Sequence, residues 1–290
     1  MKHILVTGAN GQLGTSLKKR ARDFDQFTFT FVDIQDVDLT DETSVRQFLD
    51  PMQIDYIINC AAFTAVDLAE KQPERAFLVN AGIPALLGKI CLERPVYLIH
   101  LSTDYIYDGN STRPHQEDEI PAALSVYALS KLKGERELWD NPRAMVIRTS
   151  WLYSEFGSNF LLTMIRLSKE KPEVNVVYDQ VGTPTYAGDL ADILLKVIAY
   201  SDTNGFRAGI YNYSGEGVCS WYDFAVEIMQ ATQRKCLIKP VRTSEYPLPA
   251  KRPAYSVMDK SKIRNTFGIN IDYWKEGLLK AVNNLKMNGI

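Results

Sequence analysis

Histidine and cysteine are scarce in this chain of 290 residues. The three histidines (His3, His100 and His115) form no H-E-x-x-H motif, and the four cysteines lie too far apart for a zinc knuckle or a C-x-x-C pair. The absence of these patterns argues against a zinc site and against a dithiol redox enzyme. We therefore expect reduced thiols, a cytoplasmic protein and no metal site.

An excess of one charge and long apolar runs are also missing. The chain carries 33 basic and 35 acidic residues, a formal net charge of -2. This balance provides no electrostatic footprint for nucleic acid or for an anionic membrane. No run of 18 apolar residues occurs, and the apolar run before Gly8 is too short for a signal peptide. The sequence predicts a protein without a nucleic-acid or membrane partner, and it leaves open a monomer or a homodimer.

The first half of the chain alternates short apolar segments, typical of strands, with segments typical of helices. The predicted strands cover residues 4–7, 27–33, 56–60, 96–101 and 145–149, and the predicted helices cover 11–22, 44–49, 73–92 and 126–139. Strands that are apolar on both faces are typical of a parallel sheet covered on both sides. The fold class we predict is α/β, a Rossmann-type doubly wound parallel sheet.

The second half is less regular. It predicts helices at 159–169, 188–200, 221–232 and 273–285, a strand at 174–178, and turn-rich ligand-binding loops at 205–217 and 246–253. We expect residues 1–155 to form an NAD(P)-binding Rossmann domain. Residues 156–290 are expected to form mostly a smaller C-terminal α/β substrate-binding lobe, with some segments returning to the Rossmann domain.

Three glycines with the spacing G-x-x-G-x-x-G follow the first predicted strand, at Gly8, Gly11 and Gly14. The first permits a tight turn, the second lets the backbone approach a pyrophosphate, and the third lets the helix lie close to the strand. The helix N-terminus then offers free N–H groups and its positive dipole end to the phosphates. Because the loop joins a predicted strand to a predicted helix, it indicates dinucleotide binding rather than an ordinary turn.

Asp33 ends the second predicted strand, 19 residues after Gly14. A carboxylate at this place can accept a hydrogen bond from the adenosine ribose 2′-hydroxyl of NADH and would repel the 2′-phosphate of NADPH. Lys18, Lys19 and Arg20 on the first helix offer positive charge within reach of the same region. The choice between NADPH and NADH therefore stays open.

Tyr127 and Lys131 lie four residues apart in a predicted helix, so both side chains share one face. A phenol with its usual pKa of about 10 is a poor acid near neutral pH, and a nearby ammonium lowers that pKa. Tyr127 is the only tyrosine with a lysine at the fourth following position. Thr103 follows the fourth strand, at the edge where open α/β sheets bind ligands. The three residues indicate a carbonyl reductase; the competing interpretation is an exposed helix pair beside a strand-end turn.

The sequence resembles the extended short-chain dehydrogenase/reductases and, within them, the dTDP-4-dehydrorhamnose reductases. The resemblance spans nearly the whole chain. The motifs that carry it are TGANGQLG at 7–14, NCAA at 59–62, AFTAVD at 62–67, STDYIYDG at 102–109, RTSWLY at 148–153, DQ-x-G-x-PT at 179–185 and RP at 252–253. The STDY, RTSW and G-x-PT blocks are more specific than the glycine loop.

This resemblance implies NADPH- or NADH-dependent reduction of the carbon-4 ketone of dTDP-4-dehydro-L-rhamnose to dTDP-L-rhamnose, a sugar donor for cell-envelope polysaccharides. It implies that Tyr127 donates the proton, that Lys131 orients the nicotinamide ribose, and that Thr103 adjusts the tyrosine. The implied substrate contacts are Thr103, Asp104, Tyr105, Tyr127, Trp151 and, for the diphosphate, Arg252. The cofactor residues implied by the loop and the resemblance together are Gly8, Gly11, Gln12, Leu13, Gly14, Asp33, Asp38, Leu39, Ala61, Ala62, Phe63, Thr64, Tyr127 and Lys131.

Some features of the sequence do not follow from the resemblance. Phe63 is larger and more apolar than the side chain that the family can carry there, and Asp38 also fits a solvated loop. Some relatives are reported to use magnesium with dimerisation, but the sequence contains no carboxylate cluster that supports such a site.

Two alternative functions remain open. One is another nucleotide-sugar reductase or an epimerase; a dehydratase is disfavoured because Thr103 is followed by Asp104 and Tyr105 rather than by two adjacent carboxylates. The other is a non-catalytic regulatory subunit of the methionine adenosyltransferase type, which would keep the fold and the cofactor site. The complete set of Thr103, Tyr127 and Lys131 favours the enzyme, and a turnover assay distinguishes the two.

Overall fold

A computed structural model describes residues 1–287 of the chain. Six strands form the main sheet, in the order β10-β5-β4-β3-β1-β2, and all neighbouring pairs are parallel. These strands are β1 (Lys2–Thr7), β2 (Phe27–Val32), β3 (Tyr56–Asn59), β4 (Tyr97–Thr103), β5 (Ala144–Thr149) and β10 (Gly209–Tyr213). The predicted Rossmann-type parallel sheet is confirmed.

Six further strands pair two by two outside this sheet: β6 with β9, β7 with β12, and β8 with β11. Their bounds are β6 (Leu152–Tyr153), β7 (Glu173–Val177), β8 (Val181–Gly182), β9 (Thr185–Tyr186), β11 (Cys219–Ser220) and β12 (Leu237–Val241). The helices are α1 (Gln12–Arg20), α2 (Glu42–Leu49), α3 (Val66–Ala69), α4 (Pro73–Phe77), α5 (Ile83–Glu93), α6 (Val126–Arg136), α7 (Phe160–Glu170), α8 (Ala187–Asn204), α9 (Trp221–Ala231), α10 (Ser261–Phe267) and α11 (Trp274–Met287).

Both faces of the main sheet are covered by helices, as the apolar strands predicted. On one face α1, α8 and α10 bury the first core, which includes Leu17, Leu194 and Ile263. On the other face α2 and α5 bury another core against the same strands. A separate core forms among α7, α9, α11 and their short strands, with Phe224 and Trp274 inside it. The second half of the chain therefore contributes to two cores, because α8, β10 and α10 pack with the main sheet.

The prediction of a ligand-binding loop at 205–217 is wrong for Gly209–Tyr213, because these residues form β10, the sixth strand of the main sheet. Tyr211 and Tyr213 enter the core beside α8, and Asn212 is fully buried. Its amide donates to the carbonyl of His115 at 3.0 Å, and its backbone N–H donates to Glu117. The glycine and asparagine that suggested a turn are accommodated because this strand completes the edge next to β5.

The helix predicted at 73–92 is interrupted by a π-helical turn at Leu78–Gly82, between α4 and α5. By length and composition the whole segment Pro73–Glu93 could cross a membrane, but half of its most apolar stretch is buried in the protein. Buried residues of α5 pack on the sheet, which is the pattern of a core helix. Extra residues in such turns re-aim the side chains beside them, often at functional sites.

Helix α6 packs closely on this π-helical turn. A Cβ atom at Gly134 would lie 2.1 Å from the carbonyl oxygen of Asn80 and 2.8 Å from Pro84. Because Asn80 O is a backbone atom, a side chain at Gly134 requires one element to move. Gly134 thus sets how near α6, with its Tyr127 and Lys131, lies to the π-helical turn and the start of α5.

We predict that Gly134→Ala lowers the free energy of unfolding by roughly 1–3 kcal/mol, the usual cost of overpacking. The matched control is Gly82→Ala, where the added Cβ would make only an ordinary contact of 3.7 Å with Leu78. That change should be neutral or stabilising by roughly 0.5–1 kcal/mol, because alanine restricts the unfolded chain. Urea denaturation of both variants measures the difference, and equal effects would contradict the packing argument.

Candidate active site

The glycine loop follows β1 at the carboxyl edge of the sheet, where β1 separates β2 from β3. Gly8 has a φ of +62°, and a Cβ there would lie 2.7 Å from the backbone nitrogen of Ala61. A Cβ at Gly14 would lie 2.4 Å from the carbonyl oxygen of Gly8. These two glycines therefore bring the loops after β1 and β3, and the start of α1, into backbone contact. The crevice between such loops is where doubly wound sheets bind ligands.

The N-terminus of α1 suits a pyrophosphate. Gly11 is its N-cap and provides no side-chain cap, so the first N–H groups of the helix, at Gln12 and Leu13, have no capping side chain. A Cβ at Gly11 would meet only Gly8 O, at 3.2 Å, so the backbone is open on that side. The Gln12 side chain is engaged elsewhere, since its Oε1 accepts hydrogen bonds from Ser154 and Asn159. The loop fits a dinucleotide through its backbone.

Asp33 lies at the end of β2, next to the glycine loop. Its carboxylate accepts hydrogen bonds from the backbone N–H groups of Asn10 and Ile34, each at 2.8 Å. Two of the α1 cations that could offset the charge of Asp33 form ion pairs with other carboxylates. Lys19 pairs with Glu155 at 3.4 Å and Arg20 with Asp192 at 3.1 Å.

Asp38 and Leu39 follow in the same region with different surroundings. The Asp38 carboxylate accepts hydrogen bonds from the backbone and hydroxyl of Thr40, at 2.9 and 2.7 Å, and the residue is exposed. Leu39 is buried in the core on the α2 side of the sheet. Asp38 thus shapes an exposed turn, while Leu39 anchors that turn to the core.

The loop 61–64 after β3 is held by a residue that the sequence did not reveal, Asn80. Its amide accepts from the N–H of Phe63 at 2.8 Å and donates to the carbonyl of Phe63 at 3.0 Å. It also donates to the Ser130 hydroxyl on α6 at 3.0 Å. Asn80 is 1% exposed and lies in the π-helical turn. One side chain thus ties the segment with Ala62, Phe63 and Thr64 to the helix with Tyr127; a lone asparagine within an apolar run was the only sequence signal.

Tyr127 and Thr103 meet at the edge of the sheet. Burial raises the pKa of the Tyr127 phenol to about 12, against the lowering effect of a hydrogen bond with Thr103. The Tyr105 ring contacts the Tyr127 ring edge-on, with centroids 5.8 Å apart. The phenol is therefore protonated at neutral pH, but its pKa lies further from neutrality than the usual value of about 10. The lowering expected from Lys131 is not found, since Lys131 is not among the groups that shift this pKa.

Lys131 lies one turn along α6 from Tyr127 and is 2% exposed. Its Nζ donates to the backbone carbonyl of Leu101 on β4 at 2.5 Å. Burial lowers the pKa of this ammonium to about 8, and the charge of Glu135 opposes that shift. The predicted pairing of phenol and lysine on one helix thus lies against β4, near the strand end that carries Thr103.

Asp104 is 1% exposed and receives a hydrogen bond from the Thr103 hydroxyl at 3.2 Å. Burial raises the pKa of its carboxyl to about 7. Burial also raises the pKa of the phenol of Tyr105, the next residue of the predicted substrate site. An acid that changes charge near neutral pH beside Thr103 makes this side of the site sensitive to pH.

Trp151 lies two residues beyond β5 in a left-handed conformation, with a φ of +46°. Its indole stacks on that of Trp221, with centroids 3.7 Å apart and planes 9° from parallel. A Cβ at Gly182 would lie 2.7 Å from the Trp151 ring, so β8 packs directly on it. A strained backbone held by packing on both sides is typical of functional positions.

Arg252 is already paired with a carboxylate in this structure. Its guanidinium donates to both oxygens of Asp67, at 3.2 and 2.7 Å, and the Asp67 carboxylate also accepts the backbone N–H of Ala250 at 3.1 Å. Arg252 also lowers the pKa of Tyr105, against the effect of burial, so it lies near the Tyr105–Tyr127 pair. A diphosphate at Arg252 would compete with Asp67 for the guanidinium. From the sequence alone, Asp67 belonged only to the motif at 62–67 and had no predicted role.

Within residues 1–287, three or more His, Cys, Asp or Glu side chains are nowhere grouped so as to hold a metal ion. The carboxylates near the site accept hydrogen bonds from protein side chains instead: Asp67 from Arg252 and Asp104 from Thr103.

Comparison with known proteins identifies the family. Residues 1–287 match the family model described as RmlD substrate binding domain. A dTDP-4-dehydrorhamnose reductase of Aggregatibacter actinomycetemcomitans is 38% identical, over 96% of this chain and 97% of that protein. The Escherichia coli reductase of the same name is 34% identical over 98% of each chain. This chain belongs to the dTDP-4-dehydrorhamnose reductase family.

Solved structures agree with this family and with the fold. A dTDP-4-dehydrorhamnose reductase from Clostridium acetobutylicum superimposes with a TM-score of 0.93 and 40% identity, over 98% of this chain and all of that one. The Bacillus anthracis reductase, solved in complex with NADP, also has a TM-score of 0.93, with 35% identity and the same coverage. The recognition made from the motifs is confirmed, and the roles of individual site residues stay predictions.

We predict that Asp104→Asn stabilises the chain more at pH 8 than at pH 5. The folded chain keeps the Asp104 proton up to about pH 7, whereas the unfolded chain loses it near the ordinary pKa. As pH rises between these values, ionisation therefore favours the unfolded wild type. The variant lacks this penalty, so its relative stability should grow by roughly 2 kcal/mol between pH 5 and pH 8.

Urea denaturation at the two pH values measures this difference. Asp108→Asn is the control, because hydrogen bonds from Asn110 hold the Asp108 pKa below its usual value, so it stays ionised throughout that range. A gain of stability for Asp104→Asn that is the same at both pH values would contradict the assignment.

Proposed function

We propose that this protein reduces the carbon-4 ketone of dTDP-4-dehydro-L-rhamnose to dTDP-L-rhamnose with NADPH or NADH. The observation that carries the proposal is the hydrogen bond between Tyr127 and Thr103 at the carboxyl edge of a Rossmann sheet. Lys131, one helical turn from Tyr127, is bonded to Leu101 of the same strand, β4, and an open glycine loop lies at the same edge of the sheet. The near full-length relatives from Aggregatibacter actinomycetemcomitans and Escherichia coli are named as dTDP-4-dehydrorhamnose reductases. The product would serve as a sugar donor for cell-envelope polysaccharides.

The reduced nicotinamide, when bound, supplies the hydride. Negative charge then develops on the ketone oxygen, and a buried group that is still protonated at neutral pH must meet it. Tyr127 is such a group, and the Thr103 hydroxyl, which bonds the phenol and donates to Asp104 in this structure, would turn to a substrate oxygen when the sugar is bound. A charged Lys131 favours the phenolate left after proton transfer. These roles make Tyr127, Lys131 and Thr103 the catalytic residues that we propose.

The binding residues that we propose follow the two sides of the crevice. The dinucleotide would lie on the Gly8–Gly14 loop, with Asp33 and Leu39 towards the adenosine and Phe63 and Thr64 towards the nicotinamide. The sugar would lie between Tyr127 and the Trp151 indole, which is fixed by Trp221. Arg252 would exchange Asp67 for the diphosphate.

We also propose the setting of the enzyme. Residues 1–155 would mainly bind the cofactor and residues 156–290 mainly the substrate, with α8 and β10 returned to the Rossmann sheet. The net charge of -2 and the scarce, unpaired cysteines favour a cytoplasmic enzyme without nucleic-acid or membrane partners. It would act as a monomer or a homodimer on a nucleotide sugar.

We predict that Tyr127→Phe lowers kcat at least a hundredfold, because a positioned acid contributes roughly 10²–10⁴ to the rate. Affinity for NADPH should stay within a few-fold, since the ring and its packing against Tyr105 are kept. Oxidation of NADPH, followed with dTDP-4-dehydrorhamnose as the acceptor, gives the rate, and fluorescence titration gives the affinity.

Tyr273→Phe is the control for this experiment, because that tyrosine is 46% exposed and loses the same hydroxyl. Unchanged turnover in Tyr127→Phe would contradict the assignment of the acid. A wild type that binds NADPH but oxidises none with this sugar would point to another nucleotide sugar or to the regulatory alternative.

A further inference from the structure

A third polar residue continues the row of Tyr127 and Lys131 on α6. Glu135 lies four residues beyond Lys131, so successive turns of the helix place all three on one side. Its side chain is completely buried, with no exposed surface. Carboxylates are rarely buried to this extent unless they are paired, and Glu135 has no place in the mechanism given so far.

The partner of Glu135 is Arg148 on β5. The guanidinium donates to both carboxylate oxygens, with Nε at 3.1 and 3.2 Å and an Nη at 2.8 Å. Its other Nη donates to the Tyr107 hydroxyl at 2.9 Å and to the carbonyl of Glu117 at 3.1 Å. The pair therefore joins the last turn of α6 to β5, the strand beside β4, where Arg148 is in register with Ser102.

Stability alone does not account for this pair. Removing two ions from water costs about as much as their attraction returns, and well-packed apolar residues often replace such pairs at no loss. The pair instead has a consequence for its neighbour. Lys131 interacts electrostatically with Glu135 one turn along its own helix, with Cys60 after β3 and with His100 on β4. Burial lowers the pKa of Lys131, and the charge of Glu135 opposes that effect more than Cys60 does.

We propose that Glu135, held by Arg148, is a positioning residue of the reductase, which fixes α6 against β5 and keeps buried Lys131 as an ammonium. The inference rests on the proposed function only in that Lys131 serves catalysis. Arg148 has two roles in it: it orients the carboxylate, and it balances part of the negative charge that Lys131 experiences.

The first test is the pH profile of Glu135→Gln. The amide keeps the shape of the side chain and can still accept from Arg148, but the negative charge is lost and the guanidinium is left uncompensated. We expect the alkaline limb of kcat to move down by about one pH unit, with much smaller losses at pH 6.5 than at pH 9. A loss of the same factor at every pH would overturn the proposal, since it would indicate a structural role only.

Two further variants make the test specific. Glu137→Gln, one of an exposed pair with Lys133 on the same helix, should leave the alkaline limb unchanged. The double variant Glu135→Gln with Arg148→Met removes the uncompensated cation, so its limb should return part of the way towards the wild type. If the alkaline limb of the double variant has its midpoint at the same pH as that of Glu135→Gln, or at a lower pH, the electrostatic part of the proposal is contradicted.

Direct titration separates this proposal from the proposed function. In protein labelled with ¹³C at lysine Cε, the Lys131 signal is the one absent from Lys131→Met. Its midpoint should fall by about one pH unit in Glu135→Gln, whether or not the sugar is turned over. An unchanged midpoint would refute the inference even in an active reductase, whereas a shifted midpoint in a wild type without turnover would refute only the proposed function.

Discussion

The close packing of α6 on the π-helical turn Leu78–Gly82 is the contact on which the site depends. Gly134 lets the two backbones approach, and Asn80 uses that proximity to bond both the Phe63 backbone and Ser130. The loop at 61–64 and the helix with Tyr127 are thereby joined through one buried side chain. For the proton donation proposed for Tyr127 this connection matters, because a displacement of about 1 Å costs much of the rate.

The site is also a place where stability is given up for chemistry. Asp104 and Lys131 are buried ionisable groups whose pKa values move towards neutrality, and Trp151 has a left-handed backbone. None of these features helps the chain to fold. Each is held by stronger packing around it, by the two cores of the main sheet or by the aromatic stack with Trp221. Such local conflicts are expected at functional sites.

Sequence reasoning predicted the features that depend on local pattern. Strands apolar on both faces indicated the parallel sheet, and the spacing of Tyr127 and Lys131 placed them on one helix. It missed features created by tertiary contact: the strand Gly209–Tyr213 is ordered by its pairing with β5 and by its packing in the core, and the bond between Arg252 and Asp67 joins residues 185 positions apart. Family motifs identified both residues but not their pairing, because a motif records identity rather than proximity.

The destination of the cofactor hydride is the most direct test of the proposed reduction at carbon 4 of the sugar. The protein would be incubated with dTDP-4-dehydrorhamnose and NADPH that carries deuterium at the transferable position of nicotinamide carbon 4, and the product examined by NMR. Reduction of the carbon-4 ketone by the cofactor hydride predicts one deuterium on carbon 4 of the sugar for each NADPH oxidised. Deuterium at another carbon, or oxidation of NADPH without labelled sugar, would contradict it.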